Sequence, residues 1–456
     1  MGVLYFRNAY QWNRPEQITL PGGIIQQTSY DPLMRPRRIQ SRKQNNSLIL
    51  QRDYQYSATG NITDISAEHG NYQYRYDNTD RLTRADYPDG TEDAYTYDPV
   101  GNRLTDQSTG GTIWEYAPDD KLRKAGIEQH EYDQNGSLTK ITNGSTKRNK
   151  ILAYDSAGRL KTAADSQNHT LASYRHDPLG RRIEKTAYDA NGNPDTTTYY
   201  LYSDEGLIGE YTSAGEAIAT YGHYPQSEYQ TRPLWKKTHY GYAYYHRDHL
   251  GTPILLTDKS NAVVWEARYK AFGERNIVTN AIPNHFGFPG QYFDEETGLW
   301  QNWFRDYDHI TGRYVESDPI GLGGGLNVYL YANANPLRFV DPLGLKTCGS
   351  GFAGDMLVPD NPFGYRFSEC CQDHDDCYGC DGAKKDRSQK NCNDIFLDCM
   401  LAACRNETGE RRASCEKWAR RYKLAVDKLG RKPYYDARKG CGCLIIIQDS
   451  PDGWWN

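Results

Sequence analysis

Hydrophobic and polar positions alternate along the first two thirds of the chain in short units, each closing on a turn. A Tyr-Asp or Tyr-x dipeptide ends one unit, a turn follows, and a short apolar-basic stretch opens the next. YDNTDRLTRA from Tyr76, YDPVGNRLTD from Tyr97, YDQNGSLTKI from Tyr132 and YDSAGRLKTA from Tyr154 carry the pattern most plainly. YDPLMRPRRI from Tyr30 and HDPLGRRIEK from His176 share it, and YSATGNITDI from Tyr56 and YAPDDKLRKA from Tyr116 are looser copies. Successive units start 16 to 26 residues apart. A period of about 20 residues with a turn in every unit predicts a stacked β architecture, because one unit cannot bury its own apolar face. Gly101, Gly136, Gly158 and Gly180 stand where such a turn needs positive φ. Residues 1–285 therefore read as a large β-sheet wall.

The periodicity then changes twice. Residues 286–345 are dense in aromatics and turns, as in FGFPGQYFDEETGLWQNWFRDYDHITGRYVESDPIGL from Phe286. Beyond residue 345 the spacing becomes helical. In CCQDHDDCYG, Cys371, His374, Asp375 and Tyr378 fall at i, i+3, i+4 and i+7, one helical face. That face offers a general base and a hard oxygen ligand together. CNDIFLDCMLAAC places Cys392, Cys399 and Cys404 on adjoining faces of a second helix. The predicted fold is multidomain: a large all-β part followed by a small, mainly α domain.

Composition sharpens that split. All eleven cysteines lie between Cys348 and Cys443, whereas 33 of the 38 tyrosines precede residue 346. Such cysteine density predicts a disulfide-rich scaffold working in an oxidising place, and the odd count leaves one cysteine without an intrachain partner. A zinc site at Cys377, Cys380 and His374 is the competing reading; four ligands would leave most cysteines unexplained. The 456 residues carry a net charge of −5, which gives no pointer to nucleic acid. No apolar run approaches the roughly 18–20 residues of a membrane span, and the N-terminus has no secretory-type apolar core.

Two Asp-Pro-x-Gly-Leu motifs, DPIGL at Asp318 and DPLGL at Asp341, are separated by 18 intervening residues. With the repeats, they make residues 30–345 resemble the YD-repeat Rhs family of polymorphic toxin carriers. The resemblance implies a β-shell enclosing a C-terminal toxin, and self-cleavage between Leu345 and Lys346. Asp318 and Asp341 would act as an aspartic pair on an activated water, since two close carboxylates cannot both ionise. The plainer reading makes each motif only a turn.

From Thr347 the sequence resembles a secreted phospholipase A2, nearest the group XII branch. TCGSG from Thr347, CCQDHDDCYG from Cys370 and KPYYDARKGCGC from Lys432 carry the resemblance, in family order. It implies a calcium ion held by the carbonyls of Thr347, Gly349 and Gly351 and the carboxylate of Asp375. It also implies a Cys348–Cys371 disulfide, His374 as the base toward water, and Asp436 orienting that imidazole. Tyr378 would steady Asp436, and the Gly349 N–H would help calcium stabilise the oxyanion.

The chain is thus expected to be an Rhs-type antibacterial toxin whose released 346–456 domain cleaves the sn-2 ester of membrane phospholipids with Ca2+. Expected partners are a phospholipid membrane, a cognate immunity protein and secretion-system spike components, and no nucleic acid. The expected destination is the periplasm or membrane of a target cell, or secretion. The competing readings are a catalytically inactive membrane-binding module and a YD-repeat surface adhesion protein.

Overall fold

The structure is a computed structural model. It describes residues 7–345, apart from 12–13, 34, 108–109, 144–147, 226, 228 and 322–324, together with 389–406 and positions 412, 416, 420 and 423. The chain divides into two compact units, residues 1–321 with 326–345, and residues 346–456 with 322–325.

The first unit is an antiparallel meander in which, within each sheet, every strand pairs with the next in sequence. Ten strands, from β1 (Arg7–Gln11) to β10 (Arg103–Asp106), form one sheet. Sixteen more, from β11 (Glu115–Tyr116) to β26 (Arg275–Asn280), form a second. β27 (Tyr292–Asp294), β28 (Leu299–Asn302), β29 (Arg305–Asp308) and β30 (Arg313–Tyr314) make a third, four-stranded sheet. Strand side chains alternate as a two-residue period requires. In β7 (Gly70–Tyr76), Tyr72 and Tyr74 are buried while Gln73 and Arg75 are exposed.

The Tyr-Asp dipeptide does two jobs. The tyrosine hydroxyl donates to the carbonyl that opens the preceding strand: Tyr76 to Ile62 at 2.8 Å, Tyr97 to Leu82 at 2.7 Å, Tyr154 to Leu138 at 2.7 Å. The aspartate ties its own turn. Asp155 Oδ1 accepts the Ala157 and Arg159 backbone N–H groups at 2.9 and 3.1 Å, and Oδ2 accepts Arg159 Nε at 2.8 Å. This is the aspartate turn motif closed by a side-chain ion pair. The glycines at 101, 136, 158 and 180 have φ of +92°, +86°, +76° and +83°. In the Tyr76 unit Asp80 takes that place at φ +62°, a region short polar side chains tolerate.

Residues 286–345 lie across the row of turns. Asn335 Nδ2 donates to Asn61 Oδ1 and to the Asp80 carbonyl, at 2.9 and 2.8 Å. Asn327 Nδ2 reaches Asn102 Oδ1 at 2.7 Å, and Arg313 Nη2 the Asp120 carbonyl at 2.6 Å. Tyr329 donates to the Gly136 carbonyl at 2.8 Å, and Trp303 Nε1 to the Leu179 carbonyl at 3.1 Å. Every turn so engaged belongs to a different repeat. Beneath these contacts Phe288, Trp300, Tyr307, Tyr314 and Tyr331 form a buried aromatic cluster. The large sheets thus present turns, and the third sheet is clamped to them.

In the second unit, α1 spans Gln389–Ala403, followed by a 3-10 turn over Cys404–Asn406. Cys392, Cys399 and Cys404 are each disulfide-bonded. Cys392 and Cys399 lie in α1, but Cys404 opens the following turn and is not on the helix face expected for it. Lys346, Thr347, Gly349, Gly351, His374, Asp375, Tyr378 and Asp436 lie outside the described residues. Among the described residues no helix is long and apolar enough to cross a membrane, which leaves strand-based crossing open.

Candidate active site

The two Asp-Pro-x-Gly-Leu motifs do form turns. Gly321 N–H donates to the Asp318 carbonyl at 2.8 Å, and Gly344 N–H to that of Asp341 at 3.4 Å. Ile320 N–H is held by Asp318 Oδ1 at 3.0 Å, and Leu345 N–H by Asp341 Oδ1 at 2.9 Å. Both glycines have positive φ, +59° at Gly321 and +68° at Gly344. They differ in surroundings. A Cβ at Gly321 would meet nothing within 4 Å, whereas one at Gly344 would sit 2.4 Å from the Asn302 carbonyl oxygen. The second motif is therefore seated tightly against β28 and β29, and the first is not.

The turns also bring the two carboxylates to one cation. Arg305 Nη2 lies 3.0 Å from Asp318 Oδ2 and 3.2 Å from Asp341 Oδ2, and all three side chains are buried. The rest of the guanidinium is tied to backbone: Nε to the Gly344 carbonyl, and Nη1 to the Val328 carbonyl at 3.1 Å. Its plane lies over the Tyr314 ring, 3.7 Å from the centroid. The Tyr314 hydroxyl donates to Asp341 Oδ2 at 2.8 Å. Burial first, and the Asp341 charge second, push the Tyr314 phenol well above its ordinary value, so it stays a neutral donor. Asn302 Nδ2 holds the Asp341 carbonyl at 2.7 Å.

A buried arginine needs paired acceptors, and a buried carboxylate needs donors. Here each supplies the other's need, and the result fixes the residue before the expected scissile bond. Leu345 is buried, and its N–H is bonded to one of the two carboxylates. The structure thus brings Asp318, Asp341 and Leu345 together. Lys346, the fourth residue expected here, is among those not described. Arg305, Tyr314 and Asn302 were not legible as site residues. The available signal was an arginine inside an aromatic-rich run just ahead of the paired motifs. Among the described residues no group of three or more His, Cys, Asp or Glu is arranged to hold a metal ion.

Comparison with known proteins identifies the family of the repeat core. The family model described as Teneurin YD-shell matches residues 9–337, which includes Arg305 and Asp318 and stops short of Asp341. Double-stranded DNA deaminase toxin A of Burkholderia cenocepacia is 31% identical over 363 residues, covering 71% of this chain and 25% of that protein. Probable deoxyribonuclease RhsA of Dickeya dadantii is 28% identical, covering 74% of this chain and 24% of its own length. Toxin protein Tse5 of Pseudomonas aeruginosa is 27% identical, with coverages of 65% and 27%. The chain spans about a quarter of the length of these curated relatives. The solved Photorhabdus luminescens Tc holotoxin pore has a similar fold, with TM-score 0.60 at 18% identity over 78% of this chain and 20% of that one. Two of these relatives are named for acting on DNA, so the expectation of no nucleic-acid partner finds no support in them. The chain belongs to the Teneurin YD-shell family, as a YD-repeat core whose relatives include Rhs-type toxins.

Proposed function

We propose that the chain is an Rhs-type toxin carrier that cuts itself between Leu345 and Lys346 and so frees residues 346–456. The observation that supports this most is the meeting of Asp318 and Asp341 on Arg305, with Leu345 N–H bonded to Asp341. In the proposed reaction, water adds to the Leu345 carbonyl carbon while one carboxylate takes its proton. The C–N bond to Lys346 then breaks as the other carboxyl gives a proton to the departing amine. Arg305 and Tyr314 hold the carboxylates and the Gly344 carbonyl in place throughout. SDS-PAGE and intact mass of purified wild type and Asp341→Asn test the reading. A single uncut 52.1 kDa chain from wild type contradicts it.

We further propose that the freed domain is a phospholipase A2. The three sequence blocks from Thr347, Cys370 and Lys432 support this reading. His374 would act as base, oriented by Asp436, with Tyr378 steadying Asp436 and the Gly349 N–H facing the oxyanion. Calcium, held by Thr347, Gly349, Gly351 and Asp375, would supply Lewis-acid polarisation of the ester carbonyl. A phospholipid membrane would be its target, a cognate immunity protein its antidote, and secretion-apparatus components its carriers. A second reading, a nucleic-acid-acting cargo, is favoured by the relatives' names: DNA deaminase, deoxyribonuclease and tRNA nuclease. Those activities differ from one another although all these relatives align with this chain, so the aligned part does not set the substrate. Fatty-acid release from mixed liposomes, with calcium or EGTA and with His374→Gln, separates the readings. Cleavage or deamination of DNA or tRNA without lipid hydrolysis favours the second.

A further inference from the structure

Asp306 and Glu316 form a second buried carboxyl pair, on the other side of β29 from the cleavage site. Arg305 and Asp306 are neighbours on that strand, so their side chains leave opposite faces. Arg305 turns to Asp318 and Asp341. Asp306 turns to Glu316, which stands two residues ahead of Asp318. The Asp306 backbone N–H donates to Glu316 Oε2 at 2.7 Å, and the Val315 N–H returns to the Asp306 carbonyl at 2.9 Å. Glu316 Oε1 is buried and receives no N–H or O–H donor, the position that the proton of a carboxylic acid fills. Both side chains are buried, so the Glu316 carboxyl is held at Asp306 away from water.

Two buried carboxyls held this close cannot both ionise, so the pair keeps a shared proton. The surrounding charges do not replace it. Asp306 faces Asp294, which opposes its ionisation, and Arg182, which favours it. Arg182 is already paired with Asp294, as is Lys185, which also meets Glu296 at 2.9 Å. The Arg305 charge favours ionisation of Glu316 from across the strand, but Arg305 is itself committed to Asp318 and Asp341. Tyr154 and Tyr174, packed nearby, are held neutral by burial. Burial first, then Asp294, pushes Asp306 up to about 7. Burial first, then repulsion from Asp306, raises Glu316 well above the usual carboxylate range.

We propose that Asp306 and Glu316 are positioning residues: their shared proton ties β29 to the segment carrying Asp318, and so keeps Arg305 and Asp318 in register for self-cleavage. This rests on the proposed cleavage after Leu345. Losing the last shared proton at alkaline pH sets two buried charges against each other and loosens both ends of the site. Cleavage therefore has an alkaline limb that belongs to this pair. Glu316→Gln keeps a donor toward Asp306 at every pH, while Glu316→Ala removes it.

The test uses the full chain made in a short cell-free pulse, then diluted into buffers from about pH 6 to about pH 10. Loss of the uncut band is followed by gel. Wild-type cleavage is expected to hold through neutral pH and fall on the alkaline side. Glu316→Gln is expected to cleave at the wild-type neutral rate and to lose the alkaline fall. Glu316→Ala is expected to slow cleavage about tenfold or more at all pH values, as loss of a buried hydrogen bond implies. Circular dichroism checks that each variant is folded. If Glu316→Ala is unfolded, the Glu316→Gln profile decides alone. An alkaline limb unchanged in Glu316→Gln overturns the inference, as does wild-type speed in folded Glu316→Ala. If wild type cleaves and Asp341→Asn does not, such a result leaves the cleavage reading standing. Wild type that never cleaves removes both.

Discussion

The repeat wall and the 286–345 segment handle buried polarity in opposite ways. In a repeat, the turn aspartate finds its partners within five residues: Asp155 holds the N–H groups of Ala157 and Arg159 and the Arg159 side chain. In the segment, partners are far along the chain. Asn335 reaches Asn61, Arg182 meets Asp294, and Arg148 meets Asp308 at 3.0 Å. Local satisfaction makes a unit that can be copied and stacked. Distant satisfaction makes a unique object, which can be assembled only once the wall exists. The proposed cleavage site, placed there, would be completed only when the shell has formed.

This contrast predicts a graded response to substitution. The largest effect is expected at Arg305. Arg305→Met leaves Asp318 and Asp341 buried without their common cation, at about 3–5 kcal/mol, the usual loss when one partner of a buried ion pair is removed. Denaturant unfolding and the cleavage gel should both register it. A wild-type midpoint with normal cleavage would erase the distinction between the two regions. Next comes a pair of glycines. Gly344→Ala drives a Cβ into the Asn302 carbonyl and should block cleavage, whereas Gly158→Ala meets nothing and pays only for its positive φ, about 1–2 kcal/mol. Equal effects at the two sites would mean that the second motif is not tightly seated.

Smaller effects belong to the wall. Tyr154→Phe removes one hydroxyl hook to the Leu138 carbonyl and should lower stability by about 1 kcal/mol without touching cleavage. The turn aspartates give the mildest signal. Burial pulls Asp155 and Asp177 upward, but the Arg159 and Arg181 side chains and the turn N–H groups outweigh it and hold both carboxyls below their ordinary value. A lowered folded-state value means that the contribution is present above the unfolded-state pKa and lost as pH falls through the folded one. Stability should therefore decline gradually on the acid side, and less steeply in Asp155→Asn. An acid limb that is identical in that variant would remove the turn aspartates from the explanation.

The wall was legible because its chemistry repeats. Tyr, Asp and Gly recur at fixed offsets, and each residue has a local task. Asp80 and Asp120, standing in for glycine, needed the structure to explain them. Asp318 and Asp341 were legible from their paired motifs, but what joins them was not. Every residue of β29 is buried, so the strand has no alternation to read. Arg305, Tyr314 and Asn302 come from three different strands, and their meeting is set by the register of a small sheet. The Asp306–Glu316 pair was hidden for the same reason. For the calcium and phospholipase residues, from Thr347 to Asp436, the sequence remains the source of the proposal.

The most direct measurement is the intact mass and N-terminal sequence of the purified products. Two fragments are predicted, residues 1–345 and a partner beginning at Lys346, with Asp341→Asn remaining one chain of 52.1 kDa. An uncut wild type, a new N-terminus elsewhere, or Asp341→Asn cut as efficiently as wild type would contradict the site built on Arg305.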